Sequence, residues 1–267
     1  MAHPTSFTYL QIHPSSDGYA TAFTSPRTSF YGVTGYPIAW FDGTQECRGA
    51  YTNDPQQLAW YTAVYNYLMT IPTDLTITLS ATGDPNSPGP WRVKARLLLD
   101  ANGTAKTVRL YLIHALDNYP NTGYTDKRDR MCVREPVPSP LYQTVSLTPG
   151  VPVDVTVNFT FDSISMSKRN DIKIVAFAQA TNAYAPAQIY NAAVMSWPFP
   201  AGVRPGDLDC SGAVNFDDIN PFVLALSDPA GYAQAYPNCN IMNGDCNGDG
   251  VVNFDDINPF VALLTSP

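Results

Sequence analysis

Short runs of alternating apolar and polar residues fill the stretch from residue 74 to residue 200, and turn residues such as those at 83–90 separate them. This alternation predicts strands with one face on a core and one face in water. We predict seven strands, at 75–81, 91–99, 107–116, 142–147, 153–161, 172–180 and 188–196. Seven short strands in about 125 residues are typical of an immunoglobulin-like β-sandwich.

Residues 1–73 combine strand and helix patterns. Apolar residues alternate over 7–13, which predicts a strand, and a turn followed by a second strand is predicted over 31–43. A helix is predicted to follow, with Asp54 as its N-cap and Pro55 at its first position, where a missing N–H costs little. This part is therefore expected to be a partial α/β segment.

Residues 201–267 carry a repeat with an offset of 38 residues and helical apolar spacing. Apolar side chains recur at i, i+3, i+4 and i+7 in both copies, at Ile219, Phe222, Val223 and Leu226 and at Ile257, Phe260, Val261 and Leu264. The pattern predicts two short helices whose apolar stripes pack on each other. The residues before each copy, at 204–206 and 241–244, do not have a helical pattern.

The segment before each predicted helix has the spacing of a calcium-binding loop. Such loops place oxygen ligands at positions 1, 3, 5, 7, 9 and 12, with a glycine at position 6, here Gly212 or Gly250. The first loop supplies Asp207, Asp209, Ser211, the carbonyl of Ala213, Asn215 and Asp218. The second supplies Asp245, Asn247, Asp249, the carbonyl of Val251, Asn253 and Asp256. We predict two calcium ions, one in each loop.

The distribution of charge supports the metal prediction. The net charge is −8, and the nine Asp and single Arg of residues 201–267 account for all of it. Three carboxylates in each loop repel one another when no cation is present, so we expect the metal-free repeat to be weakly folded.

The basic stretch at 127–134 is interrupted by acids and is typical of a solvated loop, so no nucleic-acid partner is predicted.

Two calcium loop–helix repeats with Asp at position 12 and no entering helix resemble a dockerin domain, over residues 201–267. Dockerins bind cohesin domains and thereby attach secreted proteins, often polysaccharide-degrading enzymes, to a scaffold. The resemblance implies a cohesin-like partner chosen in part by loop positions 10 and 11, here Phe216, Asp217, Phe254 and Asp255. These residues replace the small hydroxyl pair of the best-known dockerins, so the identity of the partner stays open.

The motif Val33-x-Gly35-x-Pro37, followed by a predicted strand, resembles the cis-proline strand of thioredoxin-like domains, over residues 5–71. The resemblance implies a cis bond before Pro37. With the sandwich that follows, the chain is similar to thioredoxin-like, outer-membrane-related bacterial proteins. In that family a central strand and a Cys-x-x-Cys helix come first, so we expect this chain to be an N-terminally truncated version. Truncation would also account for the missing signal peptide.

Five cysteines match no zinc or haem spacing, at positions 47, 132, 210, 239 and 246. A disulfide between Cys210 and Cys246, or from one of them to Cys239, is a hypothesis that fits a secreted protein. Cys47 is the only thiol near Pro37 in sequence, and we interpret it as structural rather than redox-active.

Three functions stay open at this stage. The first is anchoring of a secreted or surface-associated protein through a calcium-dependent dockerin-like domain. The second is thiol–disulfide exchange by a full-length form that has the Cys-x-x-Cys motif, and the third is a part in extracellular polysaccharide catabolism. No complete catalytic set of residues stands out, so no enzymatic activity is expected in this chain.

We predict three parts, which are a partial thioredoxin-like segment at 1–73, a β-sandwich at 74–200 and a small all-α dockerin-like pair at 201–267. No run of 18 apolar residues occurs, so no membrane span is predicted. The expected location is extracellular or in the cell envelope.

Overall fold

The computed structural model contains two compact units. It describes residues 8–13, 20–51, 53–83, 87–117, 119–120, 128–129, 131–136, 141–197, 199, 204–211, 213–236, 239–247 and 251–265. The first unit comprises Met1–Leu79 with Gly83–Pro198, and the second comprises Ser80–Thr82 with Phe199–Pro267. The boundary that the sequence predicted at residue 73 therefore lies inside the first unit.

The first unit is mixed α/β, and antiparallel strands are its main element. Its helices are α1 (Thr24–Phe30), α2 (Asp54–Leu68) and α3 (Ser163–Ser167). Its strands are β1 (Ile38–Phe41), β2 (Gln45–Arg48), β3 (Leu75–Thr82), β4 (Trp91–Leu99), β5 (Lys106–Leu116), β6 (Tyr119–Pro120), β7 (Arg128–Asp129), β8 (Cys132–Pro136), β9 (Gln143–Leu147), β10 (Val153–Phe159), β11 (Ile172–Ala180) and β12 (Ile189–Ser196). The seven strands predicted after residue 74 are present, with ends that differ by at most two residues. The pattern did not predict β6, β7 or β8.

The strands form several antiparallel sheets. One sheet has the order β10–β4–β3. Another has the order β12–β11–β5–β8, and β9 also pairs with β5, over Lys106 to Leu110. Alternate residues of β4 are buried, as the apolar pattern predicted, whereas β11 is buried on both faces. The five-stranded sheet is therefore covered on both sides.

The segment that precedes β1 covers one face of the five-stranded sheet. Phe23, at the start of α1, belongs to a buried cluster with side chains of β5, β8 and β11, namely Tyr111, Ile113, Val133, Val175 and Phe177. Tyr9, Leu10 and Ile12 pack against the same cluster. Burial of these apolar side chains fixes the N-terminal segment on the sheet.

The strand predicted over residues 7–13 is reduced to a single bridge. Gln11 pairs in parallel with Cys132, and its N–H donates to the carbonyl of Met131 at 3.0 Å. Its carbonyl accepts from the Val133 N–H at 3.1 Å. The prediction of a full strand is wrong for residues 8–13, which are held mainly by side-chain packing, and Phe7 lies outside the described residues.

A hairpin of β1 and β2 packs on α2. Phe41, Cys47 and Leu68 form the buried core between these elements. The turn places Asp42 and Gly43 at φ values of 45° and 69°, a region that glycine adopts at little cost. The peptide bond that enters the hairpin, between Tyr36 and Pro37, is cis, which is the isomer implied by the resemblance.

The N-cap of α2 is Asn53, not Asp54. The Oδ1 atom of Asn53 accepts a hydrogen bond from the Gln56 N–H at 3.0 Å, and the Asn53 backbone is extended. Pro55 consequently occupies the second helical position rather than the first. The prediction was wrong by one residue because Asn and Asp cap helices about equally well.

Apart from Ser80–Thr82, the last residues of β3, the regular elements of the second unit are helical in its described part. The unit contains α4 (Ile219–Ser227), α5 (Pro229–Ala235) and α6 (Ile257–Leu264), with 3₁₀ turns at Phe216–Asp218, Ile241–Gly244 and Phe254–Asp256. Neither α5 nor the turn before the second loop was predicted. Asp228 caps α5 by accepting the Gly231 N–H at 2.9 Å, and Asn240 caps the turn by accepting the Met242 N–H at 3.0 Å.

The helices α4 and α6 meet through equivalent phenylalanines. The rings of Phe222 and Phe260 stack with centroids 4.1 Å apart and planes inclined by 15°. The predicted stripes are wrong in part, because four of their members are exposed, namely Ile219, Val223, Ile257 and Val261. Consecutive helical residues point about 100° apart, so a short helix that buries Phe222 at a narrow contact leaves Val223 outside it.

Candidate metal centre

Three carboxylates converge in the first predicted calcium loop. Oxygen atoms of Asp207, Asp209 and Asp218 lie within 4.8 Å of one another. Asp207 and Asp218 are buried, with 4% and 0% of their surface exposed. The structure therefore brings together the predicted ligands of loop positions 1, 3 and 12, and carboxylate oxygens are the ligands that hard divalent cations take.

Backbone hydrogen bonds hold the position-12 carboxylate against the loop. Asp218 ends the turn Phe216–Asp218, and its Oδ1 accepts the Asp209 N–H at 3.0 Å. Its Oδ2 accepts the Asn215 N–H at 2.9 Å, while Oδ1 of Asn215 accepts the Asp217 N–H at 2.7 Å. This reciprocal cap turns the carboxylate back toward positions 1 and 3.

The second loop repeats this arrangement at the positions that the structure describes. Oδ1 of Asp256 accepts the N–H groups of Cys246 at 2.8 Å and Asn247 at 3.0 Å. Its Oδ2 accepts the Asn253 N–H at 2.9 Å. The backbone angles of the two capping asparagines agree closely, at −152° and −172° for Asn215 and −150° and −171° for Asn253. The two loops therefore share the same conformation around their capping asparagines.

Other predicted ligands lie around these carboxylates. Ser211, at position 5, donates its N–H to Oδ1 of Asp209 at 2.9 Å and its hydroxyl to the carbonyl of Ala213 at 3.3 Å. Asp245, at position 1 of the second loop, is 9% exposed, whereas Val251 at position 7 is exposed. Three predicted loop residues lie outside the described part of the chain, namely Gly212, Asp249 and Gly250.

The first loop concentrates negative charge. Two carboxylate charges within 4.8 Å of each other repel by at least about 3 kcal/mol at an effective dielectric constant of about 20. The nearest described base, Arg204, places Nη1 3.8 Å from Oδ2 of Asp207, but its side chain is 53% exposed and offsets little of this repulsion. Burial acts to raise the pKa of Asp209, but hydrogen bonds from Ser211 and from the two neighbouring carboxyl groups together hold that pKa below its usual value. The carboxyl group of Asp209 is therefore a ligand candidate.

Two residues outside the loop spacing brace the first loop. Asn243, 1% exposed, donates from Nδ2 to the carbonyl of Asp207 at 2.5 Å and accepts the Arg204 N–H at Oδ1 at 2.8 Å. Tyr232 in α5 donates its hydroxyl to the carbonyl of Leu208 at 2.8 Å. The sequence analysis predicted neither of these hydrogen bonds. A difference between the two copies pointed to Asn243, because the equivalent residue in the first copy is a proline.

A disulfide ties the first loop to the segment after α5. Cys210 and Cys239 are bonded, with their Cα atoms 5.8 Å apart. This pairing is one of the alternatives left open by the sequence. Cys246 keeps a free thiol, and burial together with the nearby Asp256 raises its pKa to about 11.

Each repeat also exposes an apolar face. Phe216 and Phe254, at loop position 10, are 74% and 77% exposed. On the same sides of α4 and α6 lie two exposed aliphatic residues of each helix, Ile219 and Val223 in the first and Ile257 and Val261 in the second. We call these the two docking faces. Asp217 and Asp255, beside the phenylalanines, are exposed too.

Cys47 does not have the properties of a reactive thiol. It is 1% exposed in the core between the hairpin and α2. Burial, aided by the charge of Glu46, raises its pKa above the ordinary value. A buried, protonated thiol is a poor nucleophile, so the structural interpretation of Cys47 fits its surroundings.

Comparisons with known proteins give a fold likeness and no family. The chain matches no protein-family model and no curated protein. It is similar to HBP35 of Porphyromonas gingivalis, with a TM-score of 0.52 and 14% identity, over 65% of this chain and 56% of that one. It also aligns with a domain of the outer membrane lipoprotein Omp28 from Porphyromonas gingivalis, with a TM-score of 0.32 and 11% identity, over 47% of this chain and 90% of that one.

The first likeness shows similarity of fold alone, and the second is too low to carry an argument. The chain spans little more than half the length of HBP35. Among the described residues, no helix has both the length and the apolar character that crossing a membrane requires.

Proposed function

We propose that the second unit is a calcium-dependent, dockerin-like module that anchors a secreted or surface-associated protein to a cohesin-like domain. The observation that carries this proposal is the convergence of Asp207, Asp209 and Asp218 within 4.8 Å. The matching hydrogen bonds around Asp256 support a second site of the same kind. Each loop would hold one calcium ion.

Calcium would act here mainly by neutralising buried charge. The three carboxylates of the first loop carry about one negative charge more than a divalent ion supplies, and those of the second loop have the same count. Calcium binding therefore replaces the repulsion between the carboxylates by their attraction to the cation. The binding free energy in this way stabilises the folded second unit. At free calcium a hundredfold above the dissociation constant, each site adds about 2.7 kcal/mol to the stability of the second unit.

The two docking faces supply the partner contact. Each offers one exposed aromatic residue, Phe216 or Phe254, beside two aliphatic residues one and two helical turns further along. Exposed aromatics of this kind are typical anchors at the centre of protein interfaces. Because the faces are near-identical in sequence and in exposure, either one can dock the same partner.

The test is capture of the full chain on a panel of immobilised cohesin domains, in calcium and in chelator. We expect capture in calcium alone. Phe216→Ser and Phe254→Ser should each keep binding, because one face remains, and the double variant should lose it. The matched control is Tyr184→Ser, which removes a 72% exposed aromatic from the first unit and should bind as the wild type does. Capture that survives the double variant, or that ignores chelator, contradicts the proposal.

For the first unit we propose an immunoglobulin-like sandwich joined to a partial thioredoxin-like segment. The three- and five-stranded antiparallel sheets support the former, and the fold likeness to HBP35 supports the latter. The disulfide of Cys210 and Cys239 supports a location outside the cytosol, extracellular or in the cell envelope.

The buried thiol of Cys47 does not favour a redox function, and a part in polysaccharide catabolism rests on the dockerin resemblance alone.

A further inference from the structure

A large cleft lies inside the first unit, between the N-terminal segment, the hairpin, α2 and the five-stranded sheet. Its volume is about 1120 Å³, which is slightly above the usual range for small-molecule sites. Aromatic side chains dominate its wall, among them Phe23, Tyr31, Trp40, Tyr61, Tyr65 and Phe177. The cleft therefore offers an extensive apolar surface to a ligand.

The described wall of the cleft contains one base, and that base is almost completely buried. Arg27 in α1 lines the cleft and is 4% exposed. Its Cζ atom lies 4.7 Å from the ring centroids of Tyr31 and Tyr111, 4.9 Å from that of Phe30 and 5.6 Å from those of Phe23 and Phe177. A cage of rings thus holds the guanidinium, and three of these rings also line the cleft.

One donor of the guanidinium has no hydrogen-bond partner among the described residues. The guanidinium donates from Nη1 to Oε1 of Gln179 at 3.0 Å and from Nη2 to the hydroxyl of Tyr31 at 2.8 Å. Its Nε atom is buried and has no hydrogen-bond partner among the described residues. No carboxylate in the described part of the chain forms an ion pair with it. A buried cation without a counter-charge is costly, and an anionic ligand would remove that cost.

A second unsatisfied donor lines the same cleft. Nε1 of Trp40 is buried and has no hydrogen-bond partner within the described residues. The Trp40 ring packs on Tyr31, with centroids 4.9 Å apart, so it adjoins the cage around Arg27. The one acidic residue on the described wall, Asp42, is exposed at the hairpin turn. The described wall of the cleft therefore combines one buried cation with two donors that have no partner among the described residues.

We propose that this cleft binds an amphipathic organic carboxylate. The carboxylate accepts hydrogen bonds from Nε of Arg27 and Nε1 of Trp40, and the apolar body of the ligand lies along the aromatic wall. Charge complementarity selects the acid over a neutral molecule of the same shape. Hydrogen bonds to a charged group correspond to a preference of roughly ten- to a hundredfold.

The test uses calorimetric titration of the full chain with decanoate and with 1-decanol, in chelator at pH 8. The two probes share an apolar chain and differ in charge, so the comparison needs no variant. We expect decanoate to bind roughly ten- to a hundredfold more tightly than decanol. Equal affinity for the two probes, or no binding of either, overturns the proposal.

Two arginine variants test whether Arg27 is the cation that the carboxylate of the ligand contacts. Arg27→Met should weaken decanoate binding to the level of decanol and leave decanol binding unchanged. Arg92→Met removes an exposed arginine of β4 that does not line the cleft, and should change neither affinity. If Arg27→Met does not fold, Trp40→Phe removes the second donor and should reduce the preference for the acid severalfold. A preference for decanoate that survives in a folded Arg27→Met protein contradicts the assignment of Arg27.

Discussion

The stability of the first unit should depend on the protonation of one buried histidine. His114 in β5 is 5% exposed, and its ring centroid lies 5.0 Å from that of Phe161. Its Nε2 atom has no hydrogen-bond partner within the described chain. Burial lowers the pKa of His114 from 6.5 to about 4, with Asp162 acting to raise it and Arg134 to lower it further.

The direction and size of the effect follow from this shift. His114 becomes protonated below about pH 6.5 in the unfolded chain, but only below about pH 4 in the folded unit. Stability is therefore complete above pH 6.5 and is lost as the pH falls through that window. The full loss below pH 4 is about 3.4 kcal/mol at 1.36 kcal/mol per pKa unit, and about 2 kcal/mol of it is reached by pH 5.

The assay is denaturant unfolding at pH 7 and pH 5, followed by tryptophan fluorescence. The four tryptophans all lie before residue 198, so the signal reports the first unit alone. His114→Leu removes the titrating group, and the wild type should lose about 2 kcal/mol more than this variant between the two pH values. Carboxylates titrate in both proteins and cancel in the difference. Equal losses in the two proteins would refute the reasoning.

Two further predictions concern packing, and each has a control in the same chain. Gly43→Ala places a Cβ atom 2.1 Å from the Ala187 carbonyl oxygen at a φ of 69° and should cost more than about 2 kcal/mol by tryptophan fluorescence. Gly32→Ala, at a φ of 59° with no atom within 4 Å of its Cβ, should cost about 1 kcal/mol. Phe222→Ala should destabilise the calcium-loaded second unit by about 3–5 kcal/mol by circular dichroism, and Val223→Ala, 55% exposed, by less than about 1 kcal/mol. Equal costs within either pair would show that close packing is not the cause.

The strands were predictable because alternation is a local signal. In β4 every second residue from Trp91 to Leu99 is buried, as the sequence indicated. The short β6–β7 pair and β8 lie in a stretch with no clear alternation and escaped prediction. Residues 8–13 show the opposite failure. Their alternation is real, but a strand needs a neighbouring backbone, and the described residues of this segment form a single β-bridge, at Gln11. The local pattern of apolar residues could not show how far the backbone pairing of residues 8–13 extends.

The loops were predictable because each ligand position is fixed by its distance in sequence. That spacing placed Asp207, Asp209 and Asp218 together. It could not reveal Asn243 or Tyr232, which brace the first loop from 36 and 24 residues away. Nor could it show which side of each helix stays exposed, because that depends on how Phe222 and Phe260 meet. The cleft around Arg27 escaped prediction for the same reason, since Gln179 lies 152 residues from it.

The central claim is that the loops bind calcium through the converging aspartates, and counting ions tests it most directly. Native mass spectrometry of the full chain in calcium should show two ions. Asp218→Asn should leave one, and the double variant with Asp256→Asn should leave none. Asp217→Asn, which removes the same charge from the adjacent exposed position, should keep both. A wild-type chain without calcium, or an Asp218→Asn chain with as many ions as Asp217→Asn, would contradict the account.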